Sequence, residues 1–202
     1  MSNLNEQILE RAGTLPEGAP LRAKELLHLG TRVAIDRSLS RLVRSGQLLR
    51  AGRGMYVRPV ETRFGVRPPS VPKVVEALGA ASGETLVLSG AAAANALGLT
   101  TQVPVRVVYL TSGRTRLLSV GAQTVELRHA PPWQLELPEG RAGQAIRALA
   151  WFGQERASEA VQALRGKLSG TELQALTAVQ GRLPTCREAG ELARACLRNS
   201  CS

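Results

Sequence analysis

Residues 20–58 read PLRAKELLHLGTRVAIDRSLSRLVRSGQLLRAGRGMYVR, and this stretch decides the fold of the N-terminal part. Its apolar residues recur at helical spacing in two runs, Leu21 to Leu27 and Arg32 to Ser45, separated by Gly30. Thr31 is placed to cap the second run, because its hydroxyl can accept from an amide of the first turn. Gly46 is placed to end it, since a left-handed residue closes a helix there at no steric cost. Two short strand candidates follow, Gln47 to Arg50 and Met55 to Arg58, joined by Ala51-Gly52-Arg53-Gly54. With a further helix expected over Asn3 to Arg11, the pattern is helix, helix, helix, hairpin.

The Arg32 to Ser45 run has two faces. With Ile35 at zero and about 100° per residue, Leu39, Leu42 and Val43 fall within about 80° of it. Arg44, Arg37 and Arg41 fall at about 180°, 200° and 240°, with Ser40 beside them. One face therefore suits a core and the other presents three guanidinium groups. This is the pattern of a winged helix-turn-helix, whose recognition helix enters a DNA groove. Arginine suits that role because it pairs bidentately with phosphate and with guanine O6 and N7. The residues at the helix start that are positioned for bases are Thr31, Arg32, Asp36 and Arg37, with Asp36 also able to orient Arg32. Arg41 and Arg44 suit phosphates. Arg53 projects from the expected wing tip with Arg50 flanking it, while Tyr56 is expected to pack the wing on the helix. Read without DNA, the same arginines are the solvated side of an amphipathic helix, and a winged helix can equally serve as a protein-interaction module.

Charge bears on that choice. The chain carries 26 Lys and Arg against 16 Asp and Glu, a formal net charge of +10. From Arg22 to Arg58 there are nine basic and two acidic residues, whereas Phe64 to Gly140 holds six and five, and Arg141 onward nine and five. The excess is concentrated in the block just described, as phosphate contacts require. The chain's 202 residues, 44% of them hydrophobic, suffice for one or two domains with cores of their own. No apolar run approaches the length of a membrane span. MSNLNEQILERAG lacks a basic segment followed by an apolar one, so no signal peptide is expected, and the cytoplasm is the expected location. Cys186, Cys196 and Cys201 are odd in number and clustered, which argues for free thiols in a reducing compartment, with no metal site.

Beyond the block, Pro59 to Pro72 contains four prolines and few apolar anchors. It is expected to be a linker, giving a DNA-binding domain over residues 1–62, a linker over 63–72 and a second domain over 73–202. In the second domain helices are expected at Val71 to Ala81 and Ser89 to Leu97. Strands are expected at Thr85 to Leu88, Val103 to Thr111 (led by Gln102), Leu117 to Val120 and Thr124 to His129, with a turn at Gly121-Ala122. Helices at Gly143 to Phe152, Ser158 to Leu164, Thr171 to Val179 and Cys186 to Leu197 complete an α+β chain. The alanines of SGAAAANALGL suit close packing, and Asn95 is placed to bond a nearby backbone group. No Gly-x-Ser-x-Gly elbow or Walker loop is present, and Asp36 is the only aspartate, so neither catalysis nor a cofactor is expected. Nor does the apolar, Ala-rich second domain suggest a ligand pocket.

Two stretches resemble a known family. GTRVAIDRSLSRLVRSGQLLRAGRGMYVRP is similar to the N-terminal domain of AbiEi-like antitoxins of type IV toxin–antitoxin systems. LSGAAAANALGLTTQVPVRVVYLTSGRTRLLSVGAQTVELRHAPP, followed by GQAIRALAWFG, resembles the C-terminal antitoxin domain of the same family. The resemblance implies a winged helix that represses its own promoter at inverted repeats. It further implies a second domain that counters a nucleotidyltransferase-like toxin. Carried onto this chain, the DNA-facing residues are Thr31, Arg32, Asp36, Arg37, Ser40, Arg41 and Arg44, with Arg53 in the wing. The antitoxin motif maps to Ser89, Gly90, Asn95, Gln102 and Thr111, and the polar face of Arg141 to Arg165 is a further candidate surface.

Overall fold

A computed structural model describes residues 3–183 of the chain, which is mixed α+β. The expected helix Cys186 to Leu197 and all three cysteines lie outside the described residues. Two compact units are present. The first comprises the residues up to Glu84 together with Arg116–Glu126, and the second comprises Thr85–Thr115 and the described residues from Leu127 onward.

In the first unit, helix α1 (Leu4–Gly13) begins at a reciprocal cap. The Asn3 side chain accepts from the Asn5 amide, and the Glu6 carboxylate accepts from the Asn3 amide at 2.9 Å, which satisfies two otherwise orphaned donors. The expected second helix over Leu21 to Leu27 does not form. Leu21–Arg22 is instead a short strand, β1, and only Ala23–Leu26 turns, as a single 3-10 turn. Leu21 and Arg22 pair with Tyr56 and Met55, and Leu21 and Leu26 are both fully buried. So short a helix is marginal by itself, and a strand edge in need of a partner wins the residues.

Helix α2 (Arg32–Arg44) follows the sequence closely. Thr31 Oγ1 accepts from the Ala34 amide at 3.3 Å. At the other end Gly46 has φ 74°, and the amides of Gln47 and Leu48 return to the Leu42 carbonyl. Ile35, Leu39 and Leu42 are buried in one core with Ile8, Leu26, Leu48 and Tyr56. Each buried aliphatic side chain there contributes about 1.5–3 kcal/mol. Strands β2 (Leu49–Gly52) and β3 (Met55–Val57) form a hairpin, two residues later at its start than expected, and the sheet order is β1-β3-β2.

The expected linker is structured. Val60–Thr62 (β4) and Gly65–Arg67 (β5) form a hairpin, and α3 (Val71–Ser82) follows. The hairpin needs few apolar anchors because it buries little: Phe64 and Val66 stand in solvent. Nor does a boundary fall at 63–72, for this stretch is held to the N-terminal loop. Glu17 accepts from Lys73 and lies 3.6 Å from Arg67. A Cβ on Gly18 would lie 2.8 Å from the Lys73 and Val74 backbone, an approach only glycine permits. Strand β8 (Arg116–Val120) also belongs here, with Leu118 close to Gly52 and Arg116 bonded to Glu84 at 2.7 Å. The turn at Gly121 has φ 62° and lies against Pro68. Strand β9 (Gln123–His129) follows, beginning in the first unit and ending in the second.

In the second unit β6 (Leu86–Leu88) pairs antiparallel with β7 (Val107–Thr111). The strand expected from Val103 starts only at Val107. Pro104 has no amide to donate, and Val103 and Val105 lie exposed. Helix α4 (Gly90–Ala96) packs on α5 (Gly140–Arg165), with Ala93, Ala94, Ala145 and Ala148 fully buried between them. The alanine run therefore serves packing, as its composition suggests. The two helices expected over Gly143 to Phe152 and Ser158 to Leu164 are one long α5, broken at Gly153, where φ is 68°. Helix α6 (Gly170–Val179) completes this core.

Candidate nucleic-acid interface

Burial of Ile35, Leu39 and Leu42 forces the opposite side of α2 outward. Arg37, Arg41 and Arg44 are all exposed, and among the described residues none of their side chains takes part in a hydrogen bond or ion pair. With Val33, Asp36 and Ser40 they line one shallow groove along the helix. Val33 is 60% exposed, an apolar side chain kept in water among cations. On the scale that places Arg44 at about 180°, Val33 falls at about 160°, on the arginine side, where periodicity expects a polar residue.

The polar groups beside these arginines are partly committed. Arg32 Nε donates to Asp36 Oδ2 at 3.0 Å, the orienting contact that their spacing suggests. Both side chains are at least half exposed, so the pair fixes direction more than it stabilises. Ser40 Oγ donates to the Asp36 carbonyl at 2.8 Å, which leaves its oxygen only as an acceptor. Thr31, also exposed, spends its oxygen on the helix cap.

A second hollow, about 680 Å³ in volume, is lined by Arg22, Lys24, Arg32, Arg53 and Arg116, with Glu84 as its carboxylate. The structure thus brings Arg32 at the start of α2 together with Arg53 at the β2–β3 tip. Three cations missed in the sequence join them, of which Arg116 is bonded to Glu84. Arg22 and Lys24 were hidden inside a run expected to be helical, whereas the β1 pairing directs them to the hollow. At the tip Gly54 has φ 65°, and the register of β2 on β3 shifts between Arg50 and Gly52. Arg53 is exposed there. Arg50 is exposed too, in register with Tyr56, which is buried in the core as its aromatic body suggests.

In the second unit the residues expected from the antitoxin resemblance separate by role. Asn95 Nδ2 donates to the carbonyls of Thr100 and Gln102, so it ties down the loop after α4. Thr111 is fully buried and its hydroxyl accepts from the Gly113 amide. Ser89 and Gly90 instead line a cavity of about 490 Å³ with Arg106, Arg128, His129 and Arg147. The expectation that this part lacks a pocket is therefore corrected. Within Arg141 to Arg165, Arg141, Glu155, Arg156 and Glu159 are exposed and form a polar face, but Arg147 is not part of it, being only 2% exposed. Burial holds its pKa down to about 10. The signal was present in the sequence: Arg147 lies between Ile146 and Ala148, both of the core.

These features define a mixed α+β protein with an arginine-lined helix face in one unit and an arginine-lined cavity in the other. The chain belongs to a family of unknown function (DUF6088), whose profile matches residues 7–176 and so reaches into both units. No curated protein and no solved structure matches it. Among the described residues no helix is long and apolar enough to cross a membrane.

Proposed function

We propose that the first unit is a winged helix-turn-helix that binds duplex DNA, with α2 in the major groove and the β2–β3 hairpin as its wing. The observation that carries this reading is the row Arg37, Arg41 and Arg44, exposed and without acidic partners among the described residues, opposite a buried apolar stripe. A solvated helix face normally mixes signs, and Asp36 alone interrupts this one. Arg32, steadied by Asp36, sits in the first turn where base edges are met. Val33 offers an apolar contact of the kind thymine methyl groups take. Arg53, Arg22 and Lys24 add positive charge where the flanking backbone runs. The short 3-10 turn in place of a full helix before α2 is a departure from the usual motif.

The resemblance to AbiEi-like antitoxins extends the proposal. The protein acts as a cytoplasmic, non-catalytic autorepressor at inverted repeats in its own promoter, and its second unit counters a nucleotidyltransferase-like toxin. The test is binding to the DNA upstream of its own gene, followed by fluorescence anisotropy. Arg37→Ala with Arg41→Ala lowers specific affinity by about thirtyfold or more, at about 1–3 kcal/mol per contact, while the thermal transition stays in place. Unchanged affinity rejects α2 as the recognition helix. The antitoxin role is tested separately, by whether the chain restores growth to cells expressing a toxin encoded beside it. Failure there with DNA binding intact leaves a regulator without antitoxin activity.

A further inference from the structure

From the geometry of the second unit alone, we infer that the cavity around Arg147 binds a nucleotide-class ligand, its phosphate on the arginines and its ring against Trp151. The inference does not depend on the DNA-binding reading of the first unit.

Three arginines, Arg106, Arg128 and Arg147, line one cavity of about 490 Å³ whose lining includes no carboxylate. Arg147 is the unusual member. It is 98% buried, yet no acidic side chain pairs with it among the described residues. Its Nε is buried without a hydrogen-bond partner. Its Nη1 reaches only the carbonyls of Gln134 and Glu136, at 3.4 and 3.5 Å, the long limit of a hydrogen bond. A guanidinium shut away from water needs an anion in good geometry, and the described residues supply none. A phosphate group meets that need with several acceptor oxygens.

The surrounding donors agree. His129 Nδ1 donates to the Gly113 carbonyl at 2.8 Å, which leaves Nε2 for a ligand. Ser89 adds a hydroxyl at the rim. The other wall is apolar, built by Val108, Leu110, Ala150 and Trp151. Trp151 is 39% exposed although it belongs to a long core helix, so part of its ring faces solvent. A planar ring carrying a phosphate uses both walls, whereas a bare anion uses only one. The constriction is built in at Gly90, where a Cβ would lie 2.5 Å from the Arg147 carbonyl and 2.6 Å from Trp151 Cβ. Glycine there lets α4 close on α5 at the residues that line the cavity.

The test uses the full chain with Trp133→Phe, which leaves Trp151 as the one tryptophan of the two in the sequence. Its fluorescence is titrated with ATP, inorganic phosphate and adenosine at up to millimolar concentration. Saturable change is expected with ATP, weaker binding with phosphate, and none with adenosine. Arg106→Ala, at an exposed position that folding does not need, and Arg147→Met each weaken ATP by about tenfold or more, the scale of a lost charge-assisted contact. Arg37→Ala with Arg41→Ala leaves ATP binding unchanged, which separates this site from the α2 face. No saturable change with any probe overturns the inference. So does adenosine binding as tightly as ATP, phosphate binding as tightly as ATP, or binding that survives both cavity substitutions.

Discussion

Arg41 on α2 and Arg147 on α5 carry the same side chain, and neither has an acidic partner among the described residues, yet one stands in solvent and the other is 2% exposed. Water solvates the first at almost no energetic cost, so its charge acts outward and is screened by salt over about 8–10 Å. The second sits in low dielectric, where its charge acts on the immediate neighbourhood and burdens the fold until something anionic meets it. An unpaired arginine therefore has two meanings. On a surface it is part of a field, and the neighbours that matter are others of the same sign. In a core its charge is a local matter, and what counts is the polarity of the groups packed against it.

Salt separates the two most strongly. If Arg41, Arg44 and Arg53 each take one phosphate, DNA affinity falls about fortyfold between about 50 and 200 mM salt, and about tenfold once Arg37 and Arg41 are alanine. Anisotropy titrations across that range measure both slopes. Equal slopes in the two proteins would remove Arg41 from the phosphate contacts. Stability in urea sharpens the contrast from the other side. Arg147→Met raises unfolding free energy by about 1–3 kcal/mol, because an apolar side chain of similar length replaces an uncompensated charge. Arg37→Met changes it by less than about 0.5 kcal/mol. A loss of stability in the Arg147 variant would mean that its two long contacts outweigh the burial of its charge.

The smallest effect concerns a paired charge, the case lying between them. The hydrogen bond from Lys73 holds the Glu17 carboxyl below its ordinary value of 4.5, with Lys73 and Arg67 adding attraction. A carboxyl lowered in the folded state stabilises it fully above that ordinary value, and the contribution fades as pH falls through the folded value. Glu17→Gln removes that part of the acid sensitivity, read as a smaller difference between urea midpoints at neutral and acidic pH. An identical pH dependence in both proteins contradicts the assignment. The pair matters beyond its strength, because it ties the loop before β1 to the start of α3.

Helix α2 was legible in the sequence almost to the residue. Its cap Thr31, its stop Gly46, its buried stripe and its exposed arginines all follow from local chemistry and a period of 3.6 residues. The alanine helix, the Gly121 turn and the backbone bonding of Asn95 are similarly local. What could not be read were outcomes of pairing between distant segments. Leu21 and Arg22 became a strand because β3, over thirty residues later, had an open edge. The β4–β5 hairpin and α3 joined the first unit through Glu17 and Gly18, whose partners no spacing rule reveals.

The candidate surface divides along the same line. Periodicity alone put Arg37, Arg41 and Arg44 on one face, since a helix that buries Ile35, Leu39 and Leu42 has nowhere else to direct them. Only the folded chain decided that Arg22 and Lys24 share a hollow with Arg32 and Arg53, and that Arg147 lines a cavity instead of facing water. Local order is set by interactions between residues a few positions apart, which a sequence displays directly. Burial and the company a charge keeps depend on which remote segments close over it, and that is settled by the packing of the whole unit.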